Sequence, residues 1–361
     1  MGERQPAVEE VVKPQFWSGK KVFVTGHTGF KGAWLALWLS SLGARVAGYA
    51  LQPPSSPSLW ALVEAKAGIA STIADIRDLE ALAKAIESFQ PDIVFHLAAQ
   101  SLVRPSYDDP VGTYATNVMG TVHLLEAVRR TGSVGAVVNV TSDKCYENLE
   151  TGQAYRESDP MGGRDPYSSS KGCAELVTTA YRASFAGGAA IASARAGNVI
   201  GGGDWAQDRI VPDTVRAAVA GKAVQVRNPR AVRPWQHVLE PLAGYLQLAE
   251  RAHDTPAMFS EGWNFGPDEE DAVPVEKVVS TITRLWGPPA SWAADKGTHP
   301  HEAHFLKLDS SKARSRLGWK PRLGLQLALE WTVGWYKTQA QGADARQLNL
   351  AQIERYMGLA A

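Results

Sequence analysis

Cysteine is scarce in this chain of 361 residues: there are two, Cys145 and Cys173, with no CxxC pair. A disulfide framework is therefore not expected, no metal ligand set is expected, and a reducing cytoplasm is the expected compartment. Excess charge is missing too, with 37 basic against 37 acidic residues. The basic surplus of a nucleic-acid protein is absent, although a local basic pocket for phosphate remains allowed. Long apolar runs are also missing. The most apolar early stretch, FKGAWLALWLSSLGARVAGYAL, carries Lys31 and Arg45 and breaks at Gly43, so it reads as a buried helix followed by a strand rather than a membrane span. The opening MGERQPAVEEVVKPQ lacks the apolar region of a signal peptide, and residues 1–17 read as a loose lead-in. There is no internal repeat and no low-complexity segment.

A rhythm begins at Lys21. KVFVTG, RVAGYAL, STIADI, DIVFHLAA, GAVVNVTS and AAIASARAGNVI read as strands, with helical patterns between several of them, among them KGAWLALWLSSLG, RDLEALAKAIESF and a long stretch from about Pro110 to Arg130. Continuous apolar strands alternating with helices imply strands covered on both faces. The expected class is α/β, a Rossmann-like doubly wound parallel sheet with a smaller mixed α/β substrate lobe. The pattern changes after Gly201, where GGGDWAQDRIVPD is glycine-rich and polar. The expected division is a first lobe over 18–200 with a return segment near 233–266, and a second lobe over 201–232 and 267–361.

Three local patterns carry chemistry. TGHTGFKG places Gly26, Gly29 and Gly32 after a strand and at the start of a helix. Glycines there allow a tight turn and close backbone approach to a pyrophosphate, which the helix N-terminus then faces. The spacing is G-x-x-G-x-x-G, and a plain strand-to-helix turn is the competing reading. The acid expected after the second strand to read a ribose is missing, since AGYALQPPS offers only Tyr49 and Gln52. No arginine stands there either, which favours NAD over NADP. Asp75 and Ile76, ending the third strand, are candidate adenine contacts, with a helix cap as the plain alternative for Asp75.

YSSSK sets Tyr167 and Lys171 four apart, on one face of a helix. An ammonium near a phenol favours the phenolate, so Tyr167 is expected to serve as a base near neutral pH. TSDK lines up Ser142, Asp143 and Lys144 where a buried strand runs out. Such residues commonly cap turns, but three in a row at the C-terminal edge of a parallel sheet stand where open α/β folds bind ligands. Asn198 and Arg233 are candidate phosphate contacts, while Arg230 reads as a surface arginine.

The glycine turn, HLAAQ, TNVMGT, the Ser-Asp-Lys run, YxxxK, RAGNVIG and LGWKP together resemble the extended short-chain dehydrogenase/reductase superfamily, over about Lys21 to Arg322. Within it the chain is similar to the nucleotide-sugar 4,6-dehydratases. Ser142-Asp143-Lys144 replaces the Thr-Asp-Glu of the dTDP-glucose enzymes and is similar to the branch acting on CDP-glucose. The resemblance implies NAD as cofactor, CDP-D-glucose as substrate, a homodimer, and deoxysugars of bacterial surface polysaccharide such as O-antigen lipopolysaccharide as the destination. It implies catalytic roles for Ser142, Asp143, Lys144, Tyr167 and Lys171. Cofactor contacts are expected at Gly26, His27, Gly29, Phe30, Lys31, Gly32, Asp75, Ile76, Leu97, Ala98, Ala99 and Asn117, besides Tyr167 and Lys171. Substrate contacts are expected at Gln100, Arg104, Asn198, Arg209, Arg233, His237 and His304. A 4-epimerase would share the glycine turn and YxxxK but needs no acid–base pair at C5 and C6. A cofactor-sensing regulator should lack part of the Ser142, Tyr167, Lys171 set, and all three are present.

Overall fold

The structure, a computed structural model, describes residues 11–150, 152–185, 187–297 and 305–359. Seven parallel strands form the main sheet: β1 (Lys21–Thr25), β2 (Arg45–Ala50), β3 (Ala70–Ile73), β4 (Ile93–His96), β5 (Ala136–Val140), β6 (Ala190–Ala196) and β10 (Gly262–Phe265). Their order is β10-β6-β5-β4-β1-β2-β3, so the direction of winding reverses between β1 and β4. Ligands of open α/β sheets bind outside the carboxyl ends of the strands at such a reversal.

The strands are apolar on both sides because both sides are covered. Val22, Val24, Ile93, Phe95 and Val138 enter one core cluster, while their neighbours Phe23, Val94 and Val137 enter the other, following the two-residue period of a strand. The helix Phe30–Ser41 buries every residue from Gly32 to Leu39. An all-round apolar helix needs cover on its outer side as well. The last helix, Ala345–Met357, supplies it by packing on Phe30–Ser41 and on Leu59–Val63. The segment placed by sequence in the second lobe thus lies in space against the first. No helix among the described residues is long and apolar enough to cross a membrane.

The described part of the lead-in is packed rather than loose. Val11, Val12 and Trp17 are buried, and the Trp17 indole donates to Glu250 Oε1 at 2.7 Å. Two apolar residues and one tryptophan sufficed to dock it, a signal masked in the sequence by the surrounding charges.

Beyond β6 the chain forms smaller sheets. β7 (Asn198–Ile200), β9 (Val232–His237) and β11 (Ala272–Pro274) make one, and β8 (Ala223–Val226) and β12 (Ser291–Ala294) make another. Between them the chain returns to the first lobe: the helix Leu239–Asp254 packs on β5 and β6, and β10 extends the main sheet.

Candidate active site

A cleft of about 730 Å³ opens along the carboxyl ends of the strands. At one end is the glycine turn. Gly26 has φ of +75°, and a Cβ there would lie 2.6 Å from the Ala98 nitrogen, so only glycine lets the turn pass this close to the end of β4. A Cβ on Gly32 would fall 2.1 Å from the Gly26 oxygen. Gly29 caps the helix Phe30–Ser41 without a side-chain hydrogen bond, and no acid stands in its first turn. The helix N-terminus therefore faces the cleft with no side chain competing for its amide groups, which suits a diphosphate. Leu51 and Gln52 line the cleft after β2, with Asp75 and Ile76 beside them. The Asp75 carboxylate is engaged by the Arg77 guanidinium, which holds its pKa down. Capping of the next helix falls to Asp78. These features fit NAD.

At the centre stand the groups from β5 and the helix Pro166–Ser184. Ser142, Asp143 and Lys144 lie directly past β5, and Tyr167 and Lys171 face them across the cleft. Asp143 is buried, its Oδ1 accepts from the Ser142 hydroxyl at 3.0 Å, and its Oδ2 has no hydrogen-bond partner. Burial raises its pKa against the opposing pull of Lys144, Ser142 and Arg233. Burial pushes the Lys171 ammonium down to about 8. The Lys171 amine reaches the Val140 carbonyl at 3.4 Å.

Tyr167 departs from the expectation drawn from its spacing to Lys171. Its phenol is pushed up to about 12 by burial, with the Ser142 hydrogen bond and the Arg209 charge pulling the other way. Desolvation outweighs the cations, so the phenol stays protonated at neutral pH in the protein alone.

Lys31 lines the same cleft. Its amine donates to the Tyr245 hydroxyl at 2.9 Å, and burial together with Lys171 and Arg209 lowers its pKa to about 7. Phe30, Leu97, Ala98, Ala99, Arg104, Asn198, Arg209 and Arg233 also line the cleft. Arg230 is exposed, as read.

Several expected site residues are placed elsewhere. The His27 ring sits over Gly48, where a Cβ would come within 2.4 Å of it, bonds Ser71 Oγ at 2.8 Å and meets the edge of Trp60. It wedges the turn onto β2 and does not line the cleft. His237 is buried between Trp34 and Trp331. Gln100 closes on Leu102 and Thr113. Asn117, in a one-turn π bulge, bonds the Gln100 backbone in both directions and the Ser170 hydroxyl. It thereby holds the chain after β4 and reaches the cleft only through that chain. His304 lies outside the described residues.

At the far end of the cleft the sequence reading named Arg104 and Arg209 but not the acids that pair with them. Asp208 has φ of +61° and accepts from Arg104 at 3.1 Å and from Arg227 at 2.6 Å, with Asn228 and Asp295 nearby in the cleft wall. Arg209 pairs with Asp204 at 3.0 Å. The charge alternation in GGGDWAQDRIVPD was the available signal.

A family model described as GDP-mannose 4,6 dehydratase matches residues 23–331. A protein named CDP-glucose 4,6-dehydratase from Salmonella typhimurium is 55% identical over 354 residues, covering 96% of this chain and 99% of its own. Among solved structures, a dTDP-glucose 4,6-dehydratase from Bacillus anthracis in complex with NAD aligns with a TM-score of 0.75 at 22% identity, over 90% of this chain and 98% of the other. A UDP-glucose 4-epimerase from Thermus thermophilus in complex with NAD aligns with a TM-score of 0.75 at 25% identity, over 88% and 99%.

Proposed function

The chain belongs to the GDP-mannose 4,6 dehydratase family, and on that premise we infer that it converts CDP-D-glucose to CDP-4-dehydro-6-deoxy-D-glucose, as an NAD-dependent hydro-lyase. The observation that carries the reading is the Ser142-Asp143-Lys144 run at the end of β5, set across one cleft from Tyr167 and Lys171. Oxidation at C4 alone requires Ser142, Tyr167 and Lys171. Asp143 and Lys144 add the acid and base that elimination across C5 and C6 requires and that a 4-epimerase does not need.

NAD, when bound, accepts the C4 hydride and returns it to C6. The remaining work falls to side chains. Tyr167 takes the proton of the 4-hydroxyl, Ser142 bonds the C4 oxygen, and the Lys171 ammonium stands by with its charge. Asp143 protonates the departing C6 hydroxyl, and its raised pKa suits a carboxyl that must hold a proton until that step. Lys144 is assigned to C5. Arg104, Arg209 and Arg233 suit the diphosphate of the substrate. The reading divides the chain into a cofactor lobe over 18–200, with a return segment near 233–266, and a substrate lobe over 201–232 and 267–361, with the last helices packed on the cofactor lobe.

A homodimer is part of the reading. Tyr107, Val111, Tyr114, Met119 and Leu176 are exposed apolar residues on neighbouring helices, a face that suits a second copy of the chain. Cys145 and Cys173 are both free thiols, in keeping with a reducing cytoplasm.

The test uses CDP-glucose deuterated at C4. The expected product is the 4-keto-6-deoxy sugar, seen by its ultraviolet absorbance in alkali, with deuterium on C6 and faster turnover than with the dTDP or UDP sugars. A C4 epimer, or NADH released in step with product, overturns the reading.

A further inference from the structure

The Ser142 hydroxyl is tied to Asp143 and to Lys144. It donates to Asp143 Oδ1 at 3.0 Å and accepts from the Lys144 backbone amide at 3.2 Å. The Tyr167 phenol interacts with the same hydroxyl. A hydroxyl offers one donor and two acceptor sites, so with its proton on Asp143 and one lone pair on the Lys144 amide it keeps one lone pair that can accept from the phenol. Ser142 donates to Asp143, and the direction left for the phenol is to donate to Ser142. One hydroxyl links the phenol to the carboxylate, and all three residues are buried.

The dehydration balances without a proton from solvent. C4 gives up a hydride from carbon and a proton from oxygen. C5 loses a proton and regains one, and C6 regains the hydride. The hydroxyl on C6 needs one proton to leave as water. The proton lost at C4 is therefore the number required at C6.

We propose that Ser142 is a proton relay: as Tyr167 takes the proton of the 4-hydroxyl, its own proton passes through Ser142 to Asp143, which then gives it to the C6 hydroxyl. The proposal rests on the dehydratase reading above. In the oxidation the O–H bonds of the 4-hydroxyl, Tyr167 and Ser142 break while new ones form on Tyr167, Ser142 and Asp143, and the hydride leaves for the nicotinamide. A carboxylate and a cationic nicotinamide enter the step, and neither charge remains after it. In the elimination the C6–O bond breaks, water leaves with that proton, and Asp143 is a carboxylate again. Oxidation loads the acid that dehydration uses.

The electrostatics agree. A phenol pushed up to about 12 holds its proton at neutral pH, so Tyr167 acts as a base only by handing that proton on. Asp143 is raised by burial and is receptive. Asp143 is faced by Lys31, Lys144, Tyr167, Arg233 and Tyr245, with Cys145 behind it. Tyr167 is faced in addition by Asp165 and Arg209.

The relay separates itself from a plain acid role at the first half-reaction. If Asp143 serves only the C6 hydroxyl, Asp143→Asn oxidises C4 at the wild-type rate and NADH builds up. If Asp143 must receive the proton, Asp143→Asn slows NADH formation itself, by ~10-fold or more. The measurement is rapid mixing of the NAD-loaded protein with CDP-glucose, following NADH absorbance as pH is raised from about 7 to about 10. In Asp143→Asn and in Ser142→Ala the rate should climb with pH, because solvent then removes the phenol proton, while Ser142→Thr should keep the wild-type profile. Quenching of protein fluorescence by NAD reports that each variant still folds, and Ser142→Ala carries the test alone if Asp143→Asn does not. NADH forming at the wild-type rate in Asp143→Asn overturns the relay, and so does a slowed rate that pH fails to restore in either variant. A wild-type protein that makes no 4-keto-6-deoxy sugar from CDP-glucose instead overturns the dehydratase reading.

Discussion

Beneath the reactive end of β5 lies a second set of buried polar groups, built on the same strand and the same helix. Glu175, one turn beyond Lys171, accepts from Arg195 at 2.9 and 2.8 Å, from Ser193 at 2.7 Å, and from Thr141. Arg195 in turn reaches the Tyr146 hydroxyl at 2.6 Å, which donates to Asn264 at 2.7 Å. Both Glu175 oxygens are occupied and a guanidinium neutralises them, so its pKa is held low despite burial. Asp143, two residues beyond Thr141 of this network, has one occupied oxygen and one with no partner, and its pKa is raised. The two carboxylates are buried alike. The one with both oxygens bonded is a fastening, and the one with an oxygen left unbonded is available for chemistry.

The comparison is broken most severely at Glu175. Glu175→Gln leaves the Arg195 charge buried without its partner, a loss of about 3–5 kcal/mol in stability. Urea denaturation should show it as a large drop in midpoint, whereas Asp143→Asn should move the midpoint little or upward, since it removes an open buried charge. Equal losses from the two variants would erase the distinction between fastening and reactive group.

Tyr167→Phe tests the other side. The ring and its packing stay, and the hydroxyl that bonds Ser142 goes. Turnover should fall by ~10²-fold or more with the fold retained, since one proton-transferring group is worth about that much. Near-normal turnover would take Tyr167 out of the mechanism. The change in turnover corresponds to ~2.7 kcal/mol of barrier, smaller than the loss at Glu175 but confined to the reaction.

What could be read in advance follows the range of each signal. Tyr167 and Lys171 were legible because a helix brings residues four apart together, and the glycine turn was legible because its strand and helix adjoin it. The parallel sheet was legible because alternating apolar strands and amphipathic helices are local patterns. The Glu175–Arg195 pair was not, because its members stand on a helix and a strand whose register only the folded sheet decides. His27 was misplaced for a similar reason: its socket is Gly48, an unremarked glycine on the neighbouring strand. Gln100, Asn117 and His237 are polar residues near motif segments, and their side chains are used up on backbone and neighbouring rings instead of on the cleft. Tyr167 lines the cleft, but its spacing to Lys171 reveals the nearby cation and conceals the desolvation that raises its pKa.

Glu240 sharpens the comparison to its smallest difference. Like Glu175 it is buried and well bonded, accepting from the Arg322 and Leu323 amides at 2.9 and 2.7 Å and from the Tyr356 hydroxyl at 2.8 Å. Its direct hydrogen-bond donors are all neutral, however, and burial pushes its pKa up from 4.5 to about 7. Hydrogen bonds alone do not hold a carboxylate low here; a bonded guanidinium does. The folded state thus binds a proton on Glu240 between about pH 4.5 and 7 that the unfolded chain has released, so stability declines as pH rises through that window and levels off above it. The slope from one such group is at most about 1.4 kcal/mol per pH unit. Glu250, at the far end of the same helix, is likewise raised to about 7 and adds a second share. Glu240→Gln keeps an oxygen for the two amides and turns an amide toward Tyr356, so it should flatten part of the decline between pH 5 and 7 while leaving stability at pH 5 nearly unchanged. Thermal midpoints measured across that range check it. A decline as steep in Glu240→Gln as in the parent would mean that Glu240 is ionised throughout, and that neutral donors fasten a buried carboxylate as firmly as Arg195 fastens Glu175.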